Sequence, residues 1–295
     1  MRQTFRDKKL QQQFEDNGYV VIPLLDEQEI AALQNVYDTY TYNFGNRKGY
    51  HATPHSKDAN YNLLIHNEIV KVAGERIKSF FIDYRPLIAI FFVKEPDPDS
   101  NLPMHQDWAL VDENQHPSLG VWCPLVDVNE HNSNLWVLKG SHKHVQTVRG
   151  GPHFPDFPEY DVIEPAVYDK YIEKISVKAG TAICFDHRLL HCSPPNLSDK
   201  TRVAISVGMI PSEAQPIHYH KYPNNEVKMF AVDDDFFIQP YDGKAPDMPI
   251  LSSFPYEFKG TYPEQKQQFI YVLKNDRQQG FVQKIKSLFT NKTAS

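Results

Sequence analysis

Apolar and polar positions follow two different periods along this chain, and the changes of period mark its elements. After a polar lead, Gly18-Tyr19-Val20-Val21-Ile22 predicts a short strand. Asp26 with Glu29 makes a capping box ahead of Ile30, Leu33, Val36, Tyr37 and Tyr40 at helical spacing. A second helical pattern carries Ile69, Val72, Ala73, Ile77 and Phe80. The run Leu87-Ile88-Ala89-Ile90-Phe91-Phe92-Val93 is too short for a helix and rich in β-formers, so it predicts a buried strand. Beyond it, strand-like runs at 119–128, 135–138, 171–177, 181–185 and 201–210 alternate with Pro, Gly, Asn and Ser clusters. That texture predicts a mainly β protein with flanking helices, its core an antiparallel sandwich or barrel.

Two long stretches do not fit short β connections. Residues 142–169 contain Gly150-Gly151-Pro152 and further Pro turns, and residues 211–263 are rich in Pro, Tyr and Phe. Loops of that length in a compact domain serve as lids or binding loops, so substrate selection is placed there. Phe281, Val282, Ile285, Leu288 and Phe289, with Lys284, Lys286 and Lys292 between, predict an amphipathic docking helix. The whole, 1–295, is expected to be one domain with its core at about 18–210, and 211–295 a loop and helix extension packed on it.

Composition narrows the function classes. The chain has 295 residues, 41% hydrophobic and 23% charged, which suits a globular fold and excludes collagen-like, disordered and disulfide-stapled classes. Lys+Arg 31 against Asp+Glu 37 gives a net charge of −6 with no basic block, so neither nucleic acid nor an anionic membrane is an expected partner. A small molecule is. Cys123, Cys184 and Cys192 lack CxxC spacing, no apolar leader opens the chain, and no run approaches the roughly eighteen apolar residues of a membrane span. The expectation is a cytoplasmic protein, with monomer and homodimer both open.

Among the 13 histidines, His105 stands apart because Asp107 follows two positions later. In a strand, positions i and i+2 project to one face, so imidazole and carboxylate can converge on one ion. About one such pair is expected by chance in a chain of this make-up, so a third ligand is needed. His142 and His191 compete for that place. His191 has the better neighbours: it follows a strand, and eleven residues later Arg202 opens the run to Met209. There Val203, Ile205, Val207 and Met209 share one face, and Arg202, Ala204, Ser206 and Gly208 the other. An Arg beside small residues can meet a carboxylate by a two-point charge-assisted contact. Two imidazoles and one carboxylate leave three adjacent positions open, which suits Fe(II) that must take a bidentate co-substrate and O₂. Asp186-His187 has the look of part of a hydrolase triad, but no Ser lies in a G-x-S-x-G elbow.

Four segments together resemble the phytanoyl-CoA dioxygenase family: His105-Gln106-Asp107-Trp108; Val121-Trp122-Cys123-Pro124-Leu125-Val126-Asp127; Leu135-Trp136-Val137-Leu138-Lys139-Gly140-Ser141-His142-Lys143; and Ala179-Gly180 through Phe185-Asp186-His187-Arg188 to His191-Cys192-Ser193 and Arg202. The resemblance runs over about 18–210. It implies a double-stranded β-helix (jelly roll, cupin-like) holding Fe(II) and using 2-oxoglutarate and O₂ to hydroxylate an unactivated C–H bond, with release of succinate and CO₂. Carried over residue by residue, it makes His105, Asp107 and His191 the iron ligands and Arg202 the partner of the far carboxylate of 2-oxoglutarate. Ser193 matches a residue touching that carboxylate, Gln106 and Trp122 match positions lining the co-substrate pocket, and His142 falls in a structural turn. Two departures bear on turn geometry. Asn132-Ser133-Asn134 stands where the family commonly has Asn-Gly, and Lys139 stands where Pro precedes the Gly-Ser-His turn. Halogenating members lack the carboxylate ligand, so Asp107 argues for hydroxylation; desaturation and cyclisation use the same centre. The expected substrate is a small molecule or an acyl or carrier-linked one, with Arg149 and Arg188 near the site either meeting an anionic group or forming surface salt bridges. The alternative from another class is a metal-binding jelly roll, or a cupin-type isomerase, without 2-oxoglutarate turnover.

Overall fold

The computed structural model describes residues 2–44, 49–143, 148–150 and 172–256. Helix α1 (Lys8–Asn17) leads into β1 (Tyr19–Pro23), and α2 (Glu27–Thr39) and α3 (Ala59–Phe80) flank the short β2 (Tyr50–Ala52). Strands β3 (Tyr84–Lys94), β4 (Leu102–His105), β5 (Leu119–Pro124), β6 (Leu135–Leu138), β7 (Ile172–Ile175), β8 (Thr181–Asp186), β9 (His191–Ser193) and β10 (Arg202–Pro211) follow. Last come β11 (Ile217–Lys221), β12 (Glu226–Ala231) and β13 (Ile250–Pro255). All sheet pairings are antiparallel.

A six-stranded sheet in the order β1-β8-β5-β10-β3-β2 faces a four-stranded sheet in the order β4-β9-β6-β7. Early and late strands interleave in both, which is the winding of a jelly roll. The alternation read along β10 holds: Val203, Ile205, Val207 and Met209 join Leu33 and Val36 of α2 and Ile65, Ile69 and Ala73 of α3 in one cluster, so the helices cover the outer face. On the opposite face Ala204, Trp122, Ile183 and Phe185 pack against Leu135 and Val137 of the smaller sheet. The site lies between the sheets.

Local chemistry accounts for the entry helices. Asp26 caps α2 and completes the expected box with Glu29, and Asp58 caps α3. Helix α1 corrects the reading of that stretch as a polar lead. Asp7 caps it, and Leu10 and Phe14, four apart, put one narrow apolar edge on the core. Gly18 ends it at φ +82°, where a Cβ would come within 2.4 Å of His142 Nδ1. Ser133, standing where the family commonly has Gly, adopts φ +70° and is tied by its hydroxyl to the Pro194 carbonyl at 2.6 Å.

Residues 211–263 are not the long loop expected. Their described part holds the three-stranded sheet β11-β12-β13. Histidine, lysine and tyrosine occupy many of its positions, so the apolar alternation is faint. The hairpin signal was Asn224-Asn225, where Asn225 turns the chain at φ +64°. Phe230 and Val232 carry this sheet onto Leu87, Leu110 and Ile210. Most of 142–169, residues 257–263 and the expected helix around 281–289 lie outside the described residues.

Gly18→Ala should cost about 2–4 kcal/mol, summing left-handed strain and the clash with His142. Gly140→Ala, at φ +81° but with no atom nearer than 3.9 Å to the new Cβ, should cost only the strain, about 1–2 kcal/mol. Urea unfolding of both variants checks the difference; equal losses would show that His142 gives way.

Candidate metal centre

Strand β4 ends where β9 begins, and their register sets His105 opposite His191. The two rings lie 4.2 Å apart. Each ring is oriented by a carbonyl two residues back: His105 Nδ1 lies 2.8 Å from Pro103 O, and His191 Nδ1 lies 2.9 Å from Leu189 O. Those bonds place the ring protons on Nδ1 and leave the Nε2 lone pairs free. Both Nε2 atoms lie 3.7 Å from Asp107 Oδ1. One donor atom from each of the three side chains falls within 4.8 Å of the others, a spacing that one ion could bridge.

Asp107 reaches this place by a route the sequence argument did not foresee. Because β4 stops at His105, the shared strand face does not position the carboxylate. Instead the Asp107 N–H donates to His187 O at 3.1 Å, and its carbonyl accepts from Arg149 Nε at 2.6 Å. Arg149 is buried and paired with Glu113 at 2.5 Å. Burial opposes ionisation of Asp107, but His191, His187, His105 and Arg149 outweigh it and hold the carboxyl below the ordinary range. Burial and the neighbouring His191 push the His105 imidazole down to about 4. The centre therefore offers a neutral His105, an ionised Asp107 and the Nε2 lone pair of His191.

Behind β9 lies a second charged feature. Arg202, 1% exposed, opens β10 and pairs in register with Lys94 at the end of β3. Its Nη1 donates to Phe92 O at 3.3 Å, while its Nε has no partner. The Trp122 ring centroid is 5.3 Å from the guanidinium. Lys94 Nζ donates to the carbonyls of Ser193 at 3.1 Å and Pro194 at 2.8 Å. Burial, with Arg202 adding, pushes Lys94 down to about 6, and burial alone pushes Arg202 down to about 9. Among the described residues neither cation meets a carboxylate. Arg202 and Lys94 thus form a buried basic pair in which Lys94 is held near neutrality, and an approaching anion would both satisfy the guanidinium and draw a proton onto Lys94. Lys94 was missed from sequence because it ends an apolar strand and gains its meaning only from the pairing with β10.

The remaining candidates have definite places. Ser193 is buried on β9, two positions past His191. Gln106 donates its amide to Arg188 O at 2.5 Å, bracing the turn that precedes His191. His142 binds Glu15 O under Gly18, away from the three-residue cluster. Ser118 Oγ lies 2.9 Å from His187 Nδ1, but Asp186 is held by Arg188 at 2.6 Å, so no Ser-His-Asp relay forms. Arg149 and Arg188 are thus in internal pairs, neither on the surface nor free for an anionic substrate. Beside Asp107 opens a cavity of about 420 Å³ that also borders His55 and His187. A 3-10 turn after β2 brings His55 there.

Comparison with known proteins agrees with this geometry. A family model described as phytanoyl-CoA dioxygenase matches residues 14–204. A phytanoyl-CoA dioxygenase of Arabidopsis thaliana is 30% identical over 131 residues, covering 44% of this chain and 46% of the relative. A phytanoyl-CoA dioxygenase domain-containing protein of Danio rerio is 29% identical over 136 residues, covering 43% and 45%. The chain thus spans about half the length of the relatives it matches. Among solved structures, EvdO2 from Micromonospora carbonacea var. aurantiaca, in complex with 2-oxoglutarate, superposes with TM-score 0.50 at 20% identity, covering 72% of this chain and 92% of its own. That likeness bears out the jelly-roll fold.

An uncompensated buried guanidinium predicts its own test. In the ligand-free protein, Arg202→Met should raise stability by about 1–3 kcal/mol, because the apolar replacement removes an unpaired buried charge. Urea unfolding reads this directly, and a loss of similar size would make Arg202 a structural group.

Proposed function

The chain belongs to the phytanoyl-CoA dioxygenase family, and on that premise we propose that it is a non-haem iron dioxygenase using 2-oxoglutarate and O₂ to hydroxylate a C–H bond of a small-molecule or acyl-linked substrate. The observation that carries the reading is the pairing of two sites across β9. Three ligand atoms gather at its start, and the buried basic pair Arg202 and Lys94, which meets no carboxylate among the described residues, lies beyond its end. A ligand with a chelating head and a distant carboxylate would satisfy both, and 2-oxoglutarate is such a ligand.

The donor set fits the metal. Two neutral imidazoles and one carboxylate are the facial set of non-haem Fe(II) oxygenases, and they leave positions for co-substrate and O₂. The bound iron and 2-oxoglutarate supply the oxidising power for an unactivated C–H bond and release succinate and CO₂. The protein contributes the rest. Pro103 and Leu189 fix the imidazole tautomers, and His187 and Arg149 hold the Asp107 peptide from both sides. Arg202 and Lys94, with the Ser193 hydroxyl, would receive the far carboxylate, and Trp122 walls that pocket beside the guanidinium. The competing reading, a metal-binding jelly roll or cupin-type isomerase without 2-oxoglutarate turnover, leaves the unpartnered Nε of the buried Arg202 with no task.

No helix among the described residues is long and apolar enough to cross a membrane.

Anaerobic addition of Fe(II) and then 2-oxoglutarate should give the weak visible charge-transfer band of a chelated keto acid. Arg202→Ala should weaken 2-oxoglutarate binding about 100-fold, as loss of a buried charged partner does, while Fe(II) affinity stays within about threefold. His105→Ala should abolish Fe(II) binding. A missing band in the parent protein, or co-substrate affinity untouched in Arg202→Ala, overturns the assignment.

A further inference from the structure

The cavity beside Asp107 carries information about what reaches the proposed iron. Ile88 and Ile90 of β3 and Leu110 form its apolar wall. Trp108, Phe236 and Tyr241 close another side as an aromatic cluster, with Trp108 and Tyr241 edge-to-face at 5.9 Å. Phe236 and Tyr241 come from the chain after β12, so the third sheet delivers part of the wall. Gly208 is a lining position where a Cβ would crowd Ile88 at 2.9 Å, so the space there depends on the missing side chain.

Charge is the informative feature. Among the described lining residues there is no Lys or Arg, and Asp107 is the only carboxylate. The cations nearest in sequence to the site, Arg149 and Arg188, are neutralised by Glu113 and Asp186. An anionic group in this cavity would lose its water against Trp108 and Ile88 and find no Lys or Arg among the described lining residues to repay that loss. A cationic group would compete with the ion and imidazoles that already claim Asp107. Neutral hydrogen-bonding groups are present: the Ser206 hydroxyl and the Gln239 amide both line the cavity, and neither side chain is engaged among the described residues. Ser206 sits on the small-residue face of β10, and Gln239 is exposed at the rim. The volume, about 420 Å³, lies toward the small end for ligand pockets.

We propose that this cavity selects an uncharged, largely apolar body of ring dimensions bearing a hydroxyl or carbonyl that Ser206 and Gln239 address, and that it excludes charged groups from the iron-facing end of the substrate. This deepens the oxygenase reading and rests on it.

Three probes of one shape read the preference: 1-adamantanemethanol, 1-adamantanecarboxylate and 1-adamantanamine, titrated calorimetrically at neutral pH into the metal-free protein and into the anaerobic Fe(II)–2-oxoglutarate form. The alcohol should bind about tenfold more tightly than either ion. Gln239→Arg, at an exposed rim position, should strengthen carboxylate binding about tenfold and weaken the alcohol, which loses the amide, by about threefold. Equal or tighter binding of either ion, no binding of the alcohol, or no response to Gln239→Arg overturns the proposal. The keto-acid band is recorded before any probe is added, so the two readings fail separately. An absent band with the alcohol preference intact sinks the oxygenase assignment, whereas a normal band with a reversed charge order sinks this inference.

Discussion

His105 and His191 face each other because β4, after an irregularity between Leu102 and His105, pairs with β9 at those two positions, and the site is arranged around that pairing. A shift by one residue would turn one imidazole to the opposite face and leave Asp107 with a single neighbour. The register is held from outside the site. Leu102 pairs with Ser193 at the other end of the ladder, and β6 closes on β9 through Val137 opposite His191. Carbonyls two residues before each histidine then hold the rings, so the imidazoles are oriented by backbone rather than by mobile side chains.

The same strand links that site to the buried cations. Lys94 donates to the carbonyls of Ser193 and Pro194, and Arg202 adjoins Lys94 through the β3–β10 ladder. Burying a guanidinium beside an amine is costly, and burial together with Arg202 pushes the Lys94 ammonium toward its neutral form. The free protein carries that cost in its structure, as expected of a site shaped for a ligand rather than for stability alone.

Substrate selection falls to a different layer. The jelly roll contributes Ile88, Ile90, Gly120, Ser206 and Gly208 to the cavity, while Phe236, Phe237, Gln239 and Tyr241 arrive from the segment that joins β12 to β13. The metal-ligand candidates lie on the jelly roll alone, whereas the cavity wall is shared between the jelly roll and this later segment. The jelly-roll core resembles many proteins, and the added segment can vary without disturbing the metal ligands.

Local signals were legible in the amino-acid sequence by itself. The capping box of α2, the apolar run of β3, the alternating faces of β10 and the order of His105, Asp107, His191 and Arg202 all depend on spacing within a turn or a strand, or on a motif that survives in linear order. Tertiary structure decided the rest. Asp107 is placed by hydrogen bonds to His187 and Arg149 rather than by strand geometry, and Lys94 acquires a role only once β3 lies beside β10. His55 and Tyr241, nearly two hundred residues apart in the chain, meet at one cavity. Periodicity reports which way a side chain points from its own element. Which distant element it will face is settled by sheet register and packing, whose energy comes from contacts between segments that no local window contains.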